Sequence, residues 1–184
     1  MVLLHTPQGE LGVIAPDFSL IGVDDKSHSL QDYSNSKVLV VMFTCNHCPY
    51  VQAIEPRLIE LSNRFPKEDV VFVAINSNDQ DRYPDDSFDK MKQRAADKKY
   101  PFDYLSDNNQ VVARAYGAVC TPDIFVFNAR RELCYRGRLD DSPRNPNAVQ
   151  KEELKQAILD ILSGHPVVED QHASMGCSIK WREE

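Results

Sequence analysis

A continuous apolar run at residues 37–43, KVLVVMF, does most to limit the folds open to this chain. The run shows no alternation of polar and apolar residues, which predicts a strand buried on both faces of a sheet. The segment DVVFVAIN at 69–76 has the same character. Apolar residues between the two runs recur at spacings of three and four, at Val51, Ile54, Leu58, Leu61 and Phe65. This spacing predicts an amphipathic helix that joins two buried strands.

The alternation of strands and helices continues along the chain. The other predicted elements are strands at 15–20, 102–105, 123–128 and 132–139, and helices at 86–99, 108–117 and 148–164. Only the three residues ARR separate the last two strands, which favours a hairpin. Asp86 or Ser87 is the candidate cap of the helix predicted at 86–99. Strands that alternate with helices and end in a hairpin predict an α/β fold, with a central mixed sheet flanked by helices.

The length of 184 residues is typical of one domain with its own core. Residues 1–164 are expected to form this single domain, and residues 165–184, which lack periodicity, a C-terminal tail. No apolar stretch approaches the roughly 18 residues that cross a bilayer, and the N-terminus lacks the features of a signal peptide. The net charge of −7 without a basic cluster argues against nucleic acid as a partner. We therefore expect a cytoplasmic protein with neither a nucleic-acid nor a membrane partner.

Two of the five cysteines, Cys45 and Cys48, stand at the predicted junction of a buried strand and a helix. Unpaired backbone N–H groups and the positive end of the helix dipole stabilise a thiolate at such a position, and only the thiolate attacks a disulfide. Cys45 is therefore predicted to be the nucleophile. Cys48, within one helical turn, is predicted to resolve the mixed disulfide. His47 directly precedes Cys48 and can donate a hydrogen bond and positive charge to the thiolate.

Two other roles for the cysteine pair are open. An odd number of unevenly spaced cysteines in a chain of this length argues against a disulfide-stapled scaffold. Zinc sites have four ligands, of which CxxC supplies two, and His172 and Cys177 in the predicted tail could complete such a set. A redox dithiol is favoured over both a structural disulfide and a metal site. No glycine-rich phosphate loop or dinucleotide fingerprint occurs in the sequence, so no cofactor is expected.

Further along, Thr121 and Pro122 directly precede the first strand of the hairpin. A buried strand leading into CxxC, followed by Thr-Pro before a hairpin, resembles the thioredoxin superfamily. The strings CNHCPYV, VAINSND, CTPD, YRGRLDDS and GCSIKW more closely resemble small proteins of its redoxin branch, related to alkyl hydroperoxide reductase and thiol-specific antioxidant proteins. The resemblance covers about residues 10–181. It implies a thioredoxin-like fold with a redoxin-type insertion at about 77–117.

The resemblance also implies residue roles. Pro122 would be cis and face the dithiol, and Thr121 would present its backbone to the substrate cysteine. Peroxiredoxins carry Thr or Ser three residues before the reactive cysteine and Pro four residues before that. Counted back from Cys48, these positions hold Cys45 and Val41, and counting back from Cys45 gives no better match. The peroxiredoxin pocket is therefore not expected.

The remaining cysteines have two interpretations each. Cys120, close to the Thr-Pro pair, is either a third redox thiol or a small buried hydrophobe. Cys177 could fold back onto the dithiol as a resolving thiol. The favoured interpretation is that Ile179 and Trp181 anchor the tail on the surface and leave Cys177 inert. Cys134 is predicted to be a core residue.

Together these features predict a thiol-disulfide oxidoreductase. Its partners would be protein or small-molecule disulfides and a reducing system such as thioredoxin or glutathione. A thiol peroxidase that reduces hydroperoxides and a CxxC metal-binding protein are the alternatives. Because His47 stabilises the thiolate, the reduction potential is expected between the about −270 mV of thioredoxin and the about −120 mV of DsbA.

Overall fold

The computed structural model of the chain describes residues 3–167 and 170–183. Residues 1, 2, 168, 169 and 184, which fall in the ranges of the predicted domain and tail, lie outside the described residues. Within the described ranges the chain forms ten strands and four α-helices. The strands are β1 (Leu3–His5), β2 (Ser19–Gly22), β3 (Ser27–Ser29), β4 (Val38–Thr44), β5 (Val70–Asn76), β6 (Asp103–Ser106), β7 (Cys120–Thr121), β8 (Asp123–Phe127), β9 (Leu133–Gly137) and β10 (Met175–Ser178). The helices are α1 (Pro49–Ser62), α2 (Phe88–Lys98), α3 (Val111–Tyr116) and α4 (Glu153–Leu162).

Seven of the strands form one mixed sheet in the order β3-β2-β6-β5-β4-β8-β9. Strand β4 runs parallel to β5, with Val41 opposite Val73, and antiparallel to β8, with Val41 opposite Phe125. Strands β5 and β6 are parallel, and β8 and β9 form an antiparallel hairpin. The predicted mixed sheet and its closing hairpin are confirmed. The segment 77–117, which the resemblance implies to be an insertion, contains α2, β6 and α3.

Helices cover both faces of this sheet, and β4 is buried between the two layers, as its apolar run predicts. The even-numbered apolar residues of β4 pack in the layer that contains Leu58 of α1 and Ile158 of α4. The odd-numbered apolar residues pack in the opposite layer with Val112 and Tyr116 of α3. Each fully buried aliphatic side chain contributes about 1.5–3 kcal/mol relative to an exposed one. The two layers therefore hold β4, and the residues that follow it, in a fixed position.

Helix boundaries follow local backbone chemistry. Helix α3 ends before Gly117, whose φ of +63° is a left-handed conformation that glycine adopts without steric cost, so the predicted stop is confirmed. Helix α4 begins at Glu153, later than the predicted start at residue 148. Residues Pro146–Ala148 instead form a separate 3-10 turn, in which the Asn145 side chain accepts a hydrogen bond from the backbone N–H of Asn147.

A second, three-stranded sheet in the order β1-β10-β7 was not predicted from the sequence. Strand β10 is antiparallel to both neighbours, and Cys177 stands opposite Leu3 on one side and Thr121 on the other. The segment after Gly164, expected to lack regular elements, therefore contains a strand. Its four residues are too few to show a period in the sequence.

Of the helices in the described ranges, none combines the length and the apolar character needed to cross a membrane.

Candidate active site

The CxxC segment forms a loop between the C-terminal end of β4 and the start of α1. Strand β4 ends at Thr44, and α1 begins at Pro49. Proline is favourable at the first helical position because its φ is preset and it lacks an N–H that would otherwise have no partner. Cys48 is therefore the N-cap of α1, and Cys45 lies three residues before this N-cap, in the loop. The prediction that Cys45 occupies the helix N-terminus is wrong, because the helix starts later than the cysteine spacing suggests.

Hydrogen-bond donors converge on the sulfur of Cys48. Its Sγ lies 2.8 Å from Sγ of Cys177, and the backbone N–H groups of Val51 and Cys177 donate to it. Hydrogen bonding from the Cys45 thiol has the largest effect, and together these donors overcome burial and lower the pKa of Cys48 to about 5. The protonated Cys48 thiol can donate to the carbonyl oxygen of Thr121, which lies 3.2 Å from Sγ.

Cys45 is shifted in the opposite direction. It is 1% exposed, and its Sγ lies 3.2 Å from Oγ1 of Thr121. Hydrogen bonding to the sulfur of Cys48, burial and the negative charge of Asp86 raise the pKa of Cys45 well above its ordinary value. At neutral pH Cys45 is therefore the thiol that donates to a Cys48 thiolate. The lowered pKa of Cys48 and the raised pKa of Cys45 make Cys48 the more easily ionised sulfur of the pair, and the predicted role of Cys45 as the nucleophile stays a prediction.

The Thr121–Pro122 peptide is cis, as the resemblance implies. Strand β7 ends at Thr121, whose hydroxyl and carbonyl groups contact the two sulfurs of the CxxC pair. That Pro122 also faces the dithiol stays a prediction. The backbone of Thr121, which the resemblance assigns to a substrate cysteine, is paired in this structure with Cys177 of β10.

His47 is held by a buried carboxylate. Its Nδ1 lies 2.6 Å from Oδ2 of Asp86, and its ring stacks on Tyr83 with centroids 5.6 Å apart. The hydrogen bond to Asp86 is the main cause that raises the pKa of His47, against burial, and the nearby Cys48 sulfur adds to it. The sequence predicted a hydrogen bond from His47 to the thiolate. Among the described contacts, the imidazole bonds Asp86 instead, and it acts on the sulfur through its charge.

Asp86 is the residue that sequence analysis missed. Its carboxylate is fully buried and accepts from the Asn46 backbone N–H at 2.6 Å and from Asn78 Nδ2 at 2.7 Å. Burial alone would raise the pKa of Asp86, but hydrogen bonds from His47 and Asn78 hold it below its ordinary value. The sequence made Asp86 a helix-cap candidate, whereas α2 begins at Phe88 and Asp86 ends a 3-10 turn. No local pattern connects a carboxylate to a CxxC pair about 40 residues away in sequence.

Two further cysteines and the histidine of the possible zinc site lie in three different environments. Cys120 is fully buried, and burial raises its pKa to about 12, which fits a small buried hydrophobe. Cys134, predicted in the core, is only half-buried on β9. His172 lies 3.0 Å from Glu153 and is not brought to the CxxC pair. Of the two residues that could have completed a zinc site, the structure brings only Cys177 to the dithiol.

A metal ion would find a different ligand set here. Cys45, His47 and Asp86 each offer one ligand atom, and these atoms lie within 4.8 Å of one another. Thiolate, imidazole and carboxylate are all ligands that Zn²⁺ accepts. In this structure, however, the imidazole and the carboxylate already bond each other.

An open polar groove of about 410 Å³ borders the CxxC loop. Asn46 and His47 form its edge at the dithiol. Charged side chains of both signs line the rest of it, from the turn before α2 and from α2 itself: Asp85, Lys90, Arg94, Asp97 and Lys98. A groove of this kind suits a polar molecule that carries both charges.

Comparisons with known proteins give a family model and two similar solved structures. The AhpC/TSA family model matches residues 11–136. A solved structure of an uncharacterized conserved protein from Geobacillus kaustophilus is 44% identical, with a TM-score of 0.95 over 100% of this chain and 98% of that one. A hypothetical protein from Sinorhizobium meliloti 1021 is 35% identical, with a TM-score of 0.93 over 98% of this chain and 99% of that one.

A more distant likeness defines the fold. The thioredoxin domain of a thiol-disulfide oxidoreductase from Bacteroides vulgatus is 18% identical, with a TM-score of 0.60 over 70% of this chain and 89% of that one. At this identity the match speaks for the fold alone, which is thioredoxin-like. No curated protein matches the chain at a significant level.

Proposed function

This chain belongs to the AhpC/TSA family, and on that premise we propose that it is a thiol-disulfide oxidoreductase whose nucleophile is the Cys48 thiolate. The observation that carries the proposal is the position of Cys48 at the N-cap of α1, surrounded by donors that lower its pKa to about 5. A thiolate stabilised in this way is the species that attacks a disulfide. Cys45, kept as a thiol beside it, is the proposed partner in the exchange.

The proposed exchange proceeds in two steps. The Cys48 thiolate attacks one sulfur of the substrate disulfide, the substrate S–S bond breaks, and the other half leaves as a thiolate that takes up a proton. Cys45 then gives up its proton and attacks Cys48, which forms a Cys45–Cys48 disulfide and releases the second half of the substrate as a thiol. The protein dithiol has lost two electrons and the substrate has gained them. A dithiol or glutathione reductant reverses this change in the protein.

The groove beside His47 supports a substrate class. Its lining of Asp85, Lys90 and Lys98 can pair with the carboxylates and amino group of a peptide. Oxidised glutathione, a small peptide disulfide with both charges, fits this description. Disulfides of proteins would bring an exposed loop to the same place.

The test is a stopped-flow measurement of thiol loss after reduced protein is mixed with oxidised glutathione. We expect fast loss in the wild type and in Cys45→Ser, because both keep the nucleophile, and very slow loss in Cys48→Ser. Cys134→Ser, which removes a cysteine away from the site, is the matched control and should behave as the wild type. Equal rates for Cys48→Ser and the wild type would contradict the assignment of the nucleophile.

Thiol peroxidase activity is the second candidate, because family membership and a stabilised thiolate at a helix N-terminus also suit attack on a hydroperoxide. The same stopped-flow experiment with hydrogen peroxide separates the two. Thiol loss that is faster with peroxide than with oxidised glutathione would reassign the protein as a peroxidase. Metal analysis of protein purified without chelators tests the third alternative, a metal ion on Cys45, His47 and Asp86.

A further inference from the structure

Strand β10 lies across both sulfurs of the CxxC pair. Cys45 and Cys48 are 1% and 0% exposed, and Cys177 of β10 is 1% exposed and packs in the same cluster as both. The Sγ atoms of Cys48 and Cys177 are 2.8 Å apart, whereas a disulfide bond is about 2.05 Å long. A small approach of the two sulfurs would therefore suffice for bond formation.

The backbone holds Cys177 in this place. Cys177 is paired with Thr121 in the β10–β7 ladder. On the N-terminal side, Ser174 donates its backbone N–H to the Thr6 hydroxyl at 3.0 Å and its own hydroxyl to the Gly137 carbonyl at 2.9 Å. On the C-terminal side, the backbone N–H of Lys180 donates to Asn78 Oδ1 at 2.8 Å. The strand that carries Cys177 is thus anchored at both ends, and Cys177 and Ile179 are buried, so the predicted position of this segment on the surface is wrong.

Gly176 permits the close approach of β10 to the Thr-Pro segment. A Cβ atom at this position would lie 2.0 Å from the Thr121 carbonyl oxygen and 2.5 Å from its carbonyl carbon. Both are backbone atoms, which cannot rotate away as the end of a side chain could. Any larger residue at 176 would therefore push β10, and Cys177 with it, away from Cys48.

We propose that Cys177 is a second resolving thiol, which attacks the mixed disulfide on Cys48 and forms a Cys48–Cys177 disulfide. The inference rests on the proposed function, because that function supplies the mixed disulfide. In the step, the Cys177 sulfur bonds to Sγ of Cys48, and the bond between Cys48 and the substrate half breaks. The substrate half leaves as a thiolate and takes the proton that Cys177 gives up. Cys48 and Cys177 together have then lost the two electrons that the substrate disulfide gained.

The surroundings of Cys177 are consistent with this order of events. Burial, together with the hydrogen bond to Cys48, raises the pKa of Cys177 to about 12. In the reduced protein Cys177 is therefore the protonated member of the Cys48–Cys177 pair. Because β10 is paired with Thr121 and both sulfurs of the CxxC pair are buried, the proposal requires β10 to separate from β7 while the substrate binds and to pair with it again for this step.

The test uses oxidised glutathione and intact-protein mass spectrometry on variants in which Cys45 cannot resolve the adduct. Cys45→Ser should lose two thiols and end with no glutathione attached, because Cys177 releases it. Cys45→Ser with Cys177→Ser should keep one glutathione. Cys45→Ser with Cys134→Ser is the matched control and should match Cys45→Ser alone. Disulfide mapping should find the Cys48–Cys177 linkage.

A second variant tests the role of the strand. Cys45→Ser with Gly176→Ala should keep glutathione on a larger fraction of molecules, whereas Cys45→Ser with Ser178→Ala, on the same strand, should not. One glutathione retained by Cys45→Ser itself would overturn the inference while the proposed function stands. Wild-type protein that fails to consume oxidised glutathione would instead contradict the proposed function.

Discussion

Replacing Cys45 with alanine should raise the pKa of Cys48, because the Cys45 thiol is the main donor to the Cys48 sulfur. The pKa of Cys48 lies at about 5, compared with 9.0 for an ordinary cysteine. A hydrogen bond to a charged group contributes about 1.5–3 kcal/mol, and one pKa unit corresponds to about 1.4 kcal/mol. Loss of the donor should therefore move the pKa to about 6–7. At pH 6 the thiolate fraction would fall from about 90% to between about 10% and 50%.

The assay is the ultraviolet absorbance of the thiolate in fully reduced protein, titrated from about pH 4 to pH 9. The wild type should show one transition near the pKa of Cys48, and Cys45→Ala should show it at higher pH. Cys48→Ala should lose the low transition, and Cys134→Ala should keep it unchanged. Because the pKa is depressed, the thiolate is present at neutral pH and is lost as the pH falls through about 5.

Two results would contradict the predicted stabilisation of the Cys48 thiolate by Cys45. If the transition at low pH survives in Cys48→Ala and disappears in Cys45→Ala, Cys45 is the thiolate, as the sequence alone predicted. If Cys45→Ala leaves the pKa of Cys48 where it was, the Cys45 thiol does not stabilise it. The helix N-terminus and the groups on β10 would then account for the whole shift.

Three further changes have defined outcomes. Asp86→Asn removes the negative partner of His47, so the pKa of His47 should fall, as measured by its imidazole resonances in an NMR titration. Arg136→Ala leaves the fully buried Asp123 carboxylate without its cation and should cost about 3–5 kcal/mol in urea unfolding at pH 7. The loss should be smaller at pH 5, because a protonated Asp123 is less costly to bury. Ile158→Ala should open a cavity under α4 and cost about 2–5 kcal/mol.

Each of these variants has a matched control in the chain. Asp85 is the neighbour of Asp86, and its side chain lines the open groove. Asp85→Asn should therefore leave the His47 titration unchanged. Arg130→Ala breaks an exposed ion pair on the surface and should not move the urea midpoint. Leu159→Ala lies beside Ile158 but is 38% exposed, so its loss should be clearly smaller. Equal losses for Ile158→Ala and Leu159→Ala would contradict the assignment of the two helix faces.

Local sequence patterns were sufficient for most of the main sheet and its helices, although β3 was not predicted and β2 begins later than the strand predicted at 15–20. The apolar runs at β4 and β5 and the spacing of Leu58 and Leu61 reflect burial against neighbours on each side, and burial leaves a periodic trace in the sequence. Gly117 likewise ends α3 because a left-handed residue is needed there. The CxxC pair was recognised for the same reason, since both thiols lie within one short segment.

The chemistry within that segment was decided by tertiary contacts. The lowered pKa of Cys48 depends on the Cys45 thiol, on where α1 begins and on donors from β10, and the cysteine spacing contains only the first of these. Asp86 and Cys177 reach the dithiol across about 40 and 129 residues of sequence, respectively. A single side chain brought in from a distance has no period or local partner in the sequence. The layered sheet and the presence of a dithiol could therefore be predicted from the sequence, because both arise from neighbours along the chain. The pKa difference between the two sulfurs and the strand that covers them arise in the folded protein, because hydrogen bonds and charges act between atoms that are close in space.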